Sequence, residues 1–219
     1  MPRIRSAIQA TTEKVRDTKC RSILVDLRAA SFRSVWSRSW PASDTLKKMS
    51  FAKTIYVLIG PKGSGKTHIG NLLERAFNIA FLNVENLGLA NIPESKLTGF
   101  DLLKEGFHQE EAEIDRILTA TDAMSFESTG AADYFYVVLG RLRSQYDVKL
   151  LRIYSPLETC HQRVHDRDQT AHIPVSDALL RSINEKAAGV DLAWDLQIDN
   201  SKPMPESEIL EKFRSRFKI

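Results

Sequence analysis

The octapeptide Gly60-Pro61-Lys62-Gly63-Ser64-Gly65-Lys66-Thr67 has the composition of a phosphate cradle. It fits the pattern G-x-x-x-x-G-K-[ST], in which backbone N–H groups curl around a phosphate and the glycines relieve torsions that a Cβ would make costly. Gly60, Gly63 and Gly65 meet that need. Lys66 offers a point charge to the β- and γ-phosphates, and the Thr67 hydroxyl is a hard oxygen ligand for Mg²⁺. Lys62, Ser64 and His68 complete the candidate nucleotide-binding set around the loop.

The flanking residues supply the context that such a loop requires. Thr54 to Ile59 is an apolar run that reads as a buried strand entering the loop. Ile69, Leu72, Leu73, Ala76 and Phe77 recur at helical spacing after it, so a helix is expected to open at Thr67 with its free N–H groups and dipole facing the phosphates.

Further strands are expected over 79–85, 122–127, 148–154 and 196–198. One or two helices are expected over 101–118 and single helices over 132–145, 157–166, 174–188 and 206–217, with a loop and a helix start over 93–100. Strands and helices alternate without an internal repeat. That order predicts a three-layer α/β/α sandwich of the P-loop NTPase class, with a central parallel sheet of about five strands and a site at the strand C-termini.

Composition narrows the function classes. Two cysteines far apart, Cys20 and Cys160, give neither a disulfide framework nor zinc-type spacing, which fits a reducing, cytoplasmic compartment. No apolar run approaches the ~20 residues of a membrane span. Residues 1–48 carry 11 Lys/Arg against 4 Asp/Glu, a net +7, whereas 49–219 carry 20 against 24, a net −4. The chain therefore divides into a basic N-terminal extension, 1–48, and a domain, 49–219. The extension reads as an organellar transit peptide, a basic interaction arm or sequence upstream of a start at Met49. It is expected to be dispensable for folding. The acidic remainder speaks against a nucleic-acid partner, and a monomer or weak dimer is expected.

With the loop and second strand placed, the region from about Thr54 to Ser201 resembles shikimate kinase and, more broadly, the gluconate and nucleoside-monophosphate kinases of the P-loop small-molecule kinase superfamily. The carriers of the resemblance are Gly60-Pro61-x-Gly63-x-Gly65-Lys66-Thr67-x-Ile69-Gly70, Gly106-Phe107 followed by Glu111, and Ser128-Thr129-Gly130. Arg163, Arg167 and Asp168 resemble an Arg-rich lid over ATP, and Asp199-Asn200-Ser201 lies where such kinases cradle adenine. His172-Ile173-Pro174 before Leu179-Leu180 is similar to the lid-to-helix passage of gluconate kinase.

The resemblance implies ATP and Mg²⁺ as cofactors, Lys66, Arg163 and Arg167 as catalytic cations, and an acid at the end of a strand on the metal side. Departures gather on the substrate side. The family's Asp-x-Asp becomes Asn83-Val84-Glu85, its carboxylate-gripping Arg becomes His108, and Thr129-Gly130 continues into Ala131-Ala132. A further family Arg has only Lys186 nearby.

Glu127 is therefore the candidate metal-side acid with Thr67, and Glu85 the candidate group for the acceptor hydroxyl. His108, Gly130 and Lys186 are the other candidate substrate contacts. Glu110, Glu111 and Glu113 read as a solvated helix face. The expected activity is ATP-dependent phosphoryl transfer to a hydroxyl of a small metabolite other than shikimate. The alternative is an ATP-binding module or pseudokinase that has lost its acceptor.

Overall fold

The computed structural model describes residues 53–84, 87, 99–167 and 176–219. The basic extension 1–48, Glu85, the loop at 93–98, Asp168 and His172-Ile173-Pro174 lie outside the described residues. Five strands, β1 (Thr54–Ile59), β2 (Ala80–Leu82), β3 (Ala123–Ser128), β4 (Asp147–Tyr154) and β5 (Leu196–Asp199), form one sheet of order β2-β3-β1-β4-β5. Every pairing is parallel. Among the described residues six helices accompany them: α1 (Lys66–Phe77), α2 (Gly99–Ala120), α3 (Asp133–Gln145), α4 (Leu157–Asp166), α5 (Asp177–Ala188) and α6 (Glu206–Phe217). This is the expected α/β sandwich, and among the described residues no helix is long and apolar enough to cross a membrane.

Alternation along β1 explains the two layers of core. Ile55, Val57 and Ile59 point to one face, where they meet Ile114 and Leu118 of α2 and Phe135, Val138, Leu139 and Leu142 of α3. Tyr56 and Leu58 point to the other, against Ile69, Leu72 and Leu73 of α1 and Ile209 and Phe213 of α6. A strand buried on both faces must read as a continuous apolar run, which is what Thr54–Ile59 shows.

The expected strand over 79–85 is shorter than its sequence suggests. It is the sheet edge, pairs with β3 only from Ala80 to Leu82, and leaves the sheet so that Val84 and Leu87 pack against the α2/α3 side of the core. Helix α1 begins at Lys66, one residue before the expected Thr67. The remaining boundaries fall close to expectation.

Direction within the layers fixes where the site lies. The end of α2 feeds the start of β3 at the sheet's lower edge, where the Lys53 ammonium donates to the Leu118 carbonyl. The N-terminal turns of α2 therefore rise beside the C-terminal ends of the strands.

On the opposite face Phe213 is fully buried. Its ring lies 4.9 Å from Tyr56, 5.4 Å from Phe77 and 4.8 Å from Phe217. Phe213→Ala would leave a cavity walled by three aromatic rings, and is expected to lower stability by about 3–5 kcal/mol, read from urea unfolding midpoints.

Candidate active site

The loop between β1 and α1 holds its curl because neighbouring elements meet its backbone directly. A Cβ on Gly60 would stand 1.9 Å from the Ile153 carbonyl oxygen of β4. Gly63 has φ +86°, and a Cβ there would stand 2.2 Å from the Cys160 carbonyl oxygen of α4. No other residue type fits either place without moving a helix or a strand.

Two asparagines fasten the same loop. The Asn184 side chain, fully buried on α5, accepts from the Lys62 N–H at 2.7 Å and donates to the Lys62 carbonyl at 3.1 Å. Asn200, just past β5, donates its Nδ2 to the Ser64 carbonyl at 2.8 Å. Sequence reasoning missed Asn184. The signal was present as an amide inside the apolar stripe Leu180, Asn184 and Ala187 of α5.

Lys66 is buried and donates its Nζ to the carbonyls of Gly60 at 2.9 Å and Pro61 at 2.7 Å. Its ammonium is thereby held at the loop. The Thr67 hydroxyl donates to Glu127 Oε2 at 2.8 Å. Register explains the meeting: Glu127 lies opposite Leu58 of β1, and in alternation with Met124 and Phe126 its side chain leaves the sheet on the α1 side. Two hard oxygen donors converge there beside a helix N-terminus, a set that fits Mg²⁺ with retained waters. Among the described residues there is no cluster of three or more His, Cys, Asp or Glu that could hold a metal alone, so the remaining donors would come from phosphates and water.

Arg163 belongs to the wall next to the loop. Its Nη1 donates to Ser155 Oγ at 3.1 Å and its Nη2 to the Asn200 carbonyl at 3.0 Å. Ser155 Oγ donates to that carbonyl as well, at 2.6 Å. Arg163 thus ties the ends of β4 and β5 together and positions Asn200. Asp199 accepts from the Ser201 N–H at 2.9 Å and from its hydroxyl, bonds that hold the carboxyl below the usual range. Arg167 follows α4, next to the segment 168–175. An apolar cavity of about 190 Å³ borders this wall, lined by Gly60, Pro61, Ser155, Leu157 and Trp194 among others. It touches the loop's first residues rather than Lys66 or Thr67.

The substrate-side candidates fare unevenly. Gly130 lies directly after β3, its N–H bonded to Ser128 Oγ at 3.1 Å, and borders the loop strand. His108 is exposed, 3.7 Å from Glu111 and edge-on to Tyr134. On the nucleotide side, the candidate His68 is exposed on α1, 3.7 Å from Glu206. Lys186 is exposed on α5, on a different face from Asn184, and the structure does not bring it to the loop.

The solvated-face reading of the α2 acids needs correction. Glu113 pairs with Arg116 at 2.6 Å near the surface, as expected. Glu111 is largely shielded and bound to Arg141 at 3.0 Å. Glu110 is 4% exposed. The helical period puts Glu110 on the same face as Ile114 and Leu118, and an acid at such a position follows the apolar stripe into the core.

No protein-family model matches the sequence, and no curated protein matches it. Solved structures do. A sugar kinase from Janibacter sp. HTCC2649 is 17% identical with a TM-score of 0.56, over 76% of this chain and 95% of that one. The Mycobacterium tuberculosis APS kinase, in complex with AMPPNP and APS, is 14% identical with a TM-score of 0.52, over 77% and 98%. A shikimate kinase from Bacteroides thetaiotaomicron is 12% identical with a TM-score of 0.50, over 76% and 99%. Identities this low speak for the fold alone: the chain has the shikimate kinase-like fold of the P-loop small-molecule kinases.

Proposed function

We propose that the protein is an ATP-dependent phosphotransferase acting on a hydroxyl of a small metabolite. The observation that carries this reading is the 2.8 Å bond between the Thr67 hydroxyl and Glu127. It joins the last residue of the phosphate loop to an acid 60 residues away. Phosphoryl transfer asks little covalent chemistry of a protein and much positioning and charge neutralisation, so the loop and its neighbours are the machinery. Kinases among the structural neighbours, one of them holding AMPPNP, support the same reading.

In this reading the backbone N–H groups of Gly63, Gly65, Lys66 and Thr67 hold the β-phosphate, and Lys66 offsets charge on the β- and γ-phosphates. The Asp199-Asn200-Ser201 turn, braced by Arg163, borders the base. Thr67 and Glu127 hold Mg²⁺, which supplies charge neutralisation on the phosphate oxygens. Arg167, at the end of α4, is a further cation for the phosphates, and Glu85 is left for the acceptor hydroxyl. Shikimate is a poor fit, because His108 replaces a bidentate guanidinium and is shared with Glu111. An ATP-binding module without an acceptor would hold Mg-ATP through the same Thr67–Glu127 pair, and turnover with an acceptor tells the two readings apart.

Three variants test the assignments. Lys66→Ala is expected to weaken ATP binding by at least about tenfold, the loss of one charge-assisted contact. Equal affinity of both proteins in calorimetry would refute the loop as the nucleotide site. Asn184→Ala removes both bonds to Lys62 and is expected to cost about tenfold in ATP affinity while Lys66 is intact. Glu127→Gln should raise the Mg²⁺ concentration at which nucleotide binding reaches half its maximum and leave binding at saturating Mg²⁺ nearly unchanged. An unaltered Mg²⁺ dependence would move the metal-side role to Glu85.

A further inference from the structure

Strand β4 carries a cation where its neighbours are core. Leu150, Leu151 and Ile153 are fully buried, and Arg152 stands among them, half-buried. A strand with a partner on each side in a parallel sheet is covered on both faces and reads as apolar. An arginine there must find a partner for its charge. Among the described residues it finds no carboxylate, and its one bond, from Nη2 to the Ala188 carbonyl, is long at 3.4 Å. The acids before β5 and at its end are engaged elsewhere. Asp195 accepts from the Leu150 N–H at 2.8 Å and faces Arg216 at 3.5 Å, and Asp199 accepts from the Ser201 N–H and hydroxyl.

Two aromatic rings hold the guanidinium instead. It lies 5.6 Å from the Tyr154 ring centroid and 5.8 Å from that of Trp194. Contact with a ring engages the face of a guanidinium and leaves its N–H edge for a further partner. The packing leaves room for one. Arg152 lies opposite Ile59 of β1, and the residues beside it at the end of α5 are the small Ala187 and Ala188. The space between them is the cavity of about 190 Å³ that Pro61, Leu157 and Trp194 also line. A cavity of about 150 Å³ accepts a benzene-sized molecule, so this one has room for a ring-sized apolar body with a small head group.

The lining says which ligand. It contains no acid and no cation other than Arg152, and most of its side chains are apolar. A mostly apolar pocket with one placed charge selects an amphiphilic molecule of the opposite sign. One guanidinium matches one carboxylate, whose two oxygens take two parallel N–H bonds. A phosphate dianion would bring a second charge that the lining does not answer. Lys66 and Thr67 do not line the cavity.

We propose that the cavity between the ends of β4 and α5 is a binding site for a small monocarboxylate with a ring-sized apolar body, its carboxylate held by Arg152, and that this site is separate from the phosphate loop. It stands whether or not the protein transfers phosphate.

The test titrates benzoate and cyclohexanecarboxylate against the full chain by ligand-observed NMR, with benzamide lacking the charge and acetate lacking the ring. The titrations are repeated with Mg-AMPPNP present and with the Arg152→Gln, Arg152→Lys and Lys66→Ala variants. At least one of the two ring acids is expected to bind, with benzamide and acetate at least about tenfold weaker. Arg152→Gln should weaken that acid by at least about tenfold, and Arg152→Lys by less, because the ammonium keeps the charge and loses the two-pronged geometry. Lys66→Ala and Mg-AMPPNP should leave its affinity within about twofold. Both Arg152 variants should melt close to the parent, since no ion pair is lost. Loss of binding in Lys66→Ala, or displacement by Mg-AMPPNP, would place the anion in the phosphate loop and overturn the inference. So would equal binding of benzamide, binding undiminished in Arg152→Gln, or no binding of either ring acid. An Arg152→Gln protein that does not fold would overturn it too, by making Arg152 a residue of the core.

Discussion

The curl between β1 and α1 bonds to itself through the Ser64 N–H to the Pro61 carbonyl and through Lys66 Nζ to the carbonyls of Gly60 and Pro61. The rest of its shape depends on bonds and contacts from neighbouring elements. Asn184 answers both backbone groups of Lys62, and Asn200 answers the Ser64 carbonyl. The carbonyls of Ile153 and Cys160 pass so close to Gly60 and Gly63 that only glycine fits. Four elements, β4, α4, α5 and the end of β5, thus hold one eight-residue curl. Burying the rest of the sheet on both faces is what makes those elements stiff enough to do so.

The parallel sheet then acts as a ruler for chemistry. Strand β3 lies beside β1 with Glu127 opposite Leu58, and alternation aims the acid at the first turn of α1. A shift of one residue in that register would send Glu127 to the α2/α3 side and Phe126 toward Thr67. The apolar neighbours Met124 and Phe126, both fully buried on the far face, prevent it. Core packing is therefore what sets the 2.8 Å contact between Thr67 and Glu127.

The two flanks of the loop differ in how their polar groups are resolved. On the α4/β5 flank every named group is bonded: Arg163 to Ser155 and Asn200, Asp199 to Ser201. Those bonds hold that flank in one arrangement. On the α2/α3 flank Arg141 is bound to Glu111 and the Glu110 carboxyl is left over.

The order of strands and helices, the parallel sheet and the phosphate loop were legible in the sequence because each is a local pattern. Apolar runs of strand length, a 3.6-residue period and the glycine spacing of residues 60 to 67 are all read within about fifteen residues. The pairing of Thr67 with Glu127 was legible too, since a strand beside the loop that ends in an acid leaves few other arrangements. Other features depended on pairing across the chain. The edge position of β2 cut short a strand that the apolar run extended. Arg163 and Asn200 became partners only once β4 and β5 lay side by side, and Asn184 met Lys62 across 122 residues. The acids of α2 separated into one ion-paired near the surface, one shielded and ion-paired, and one buried only when the helix was laid against the sheet. Helical period tells which residues share a face, but what covers that face, and so what each charge must find there, is decided by tertiary packing.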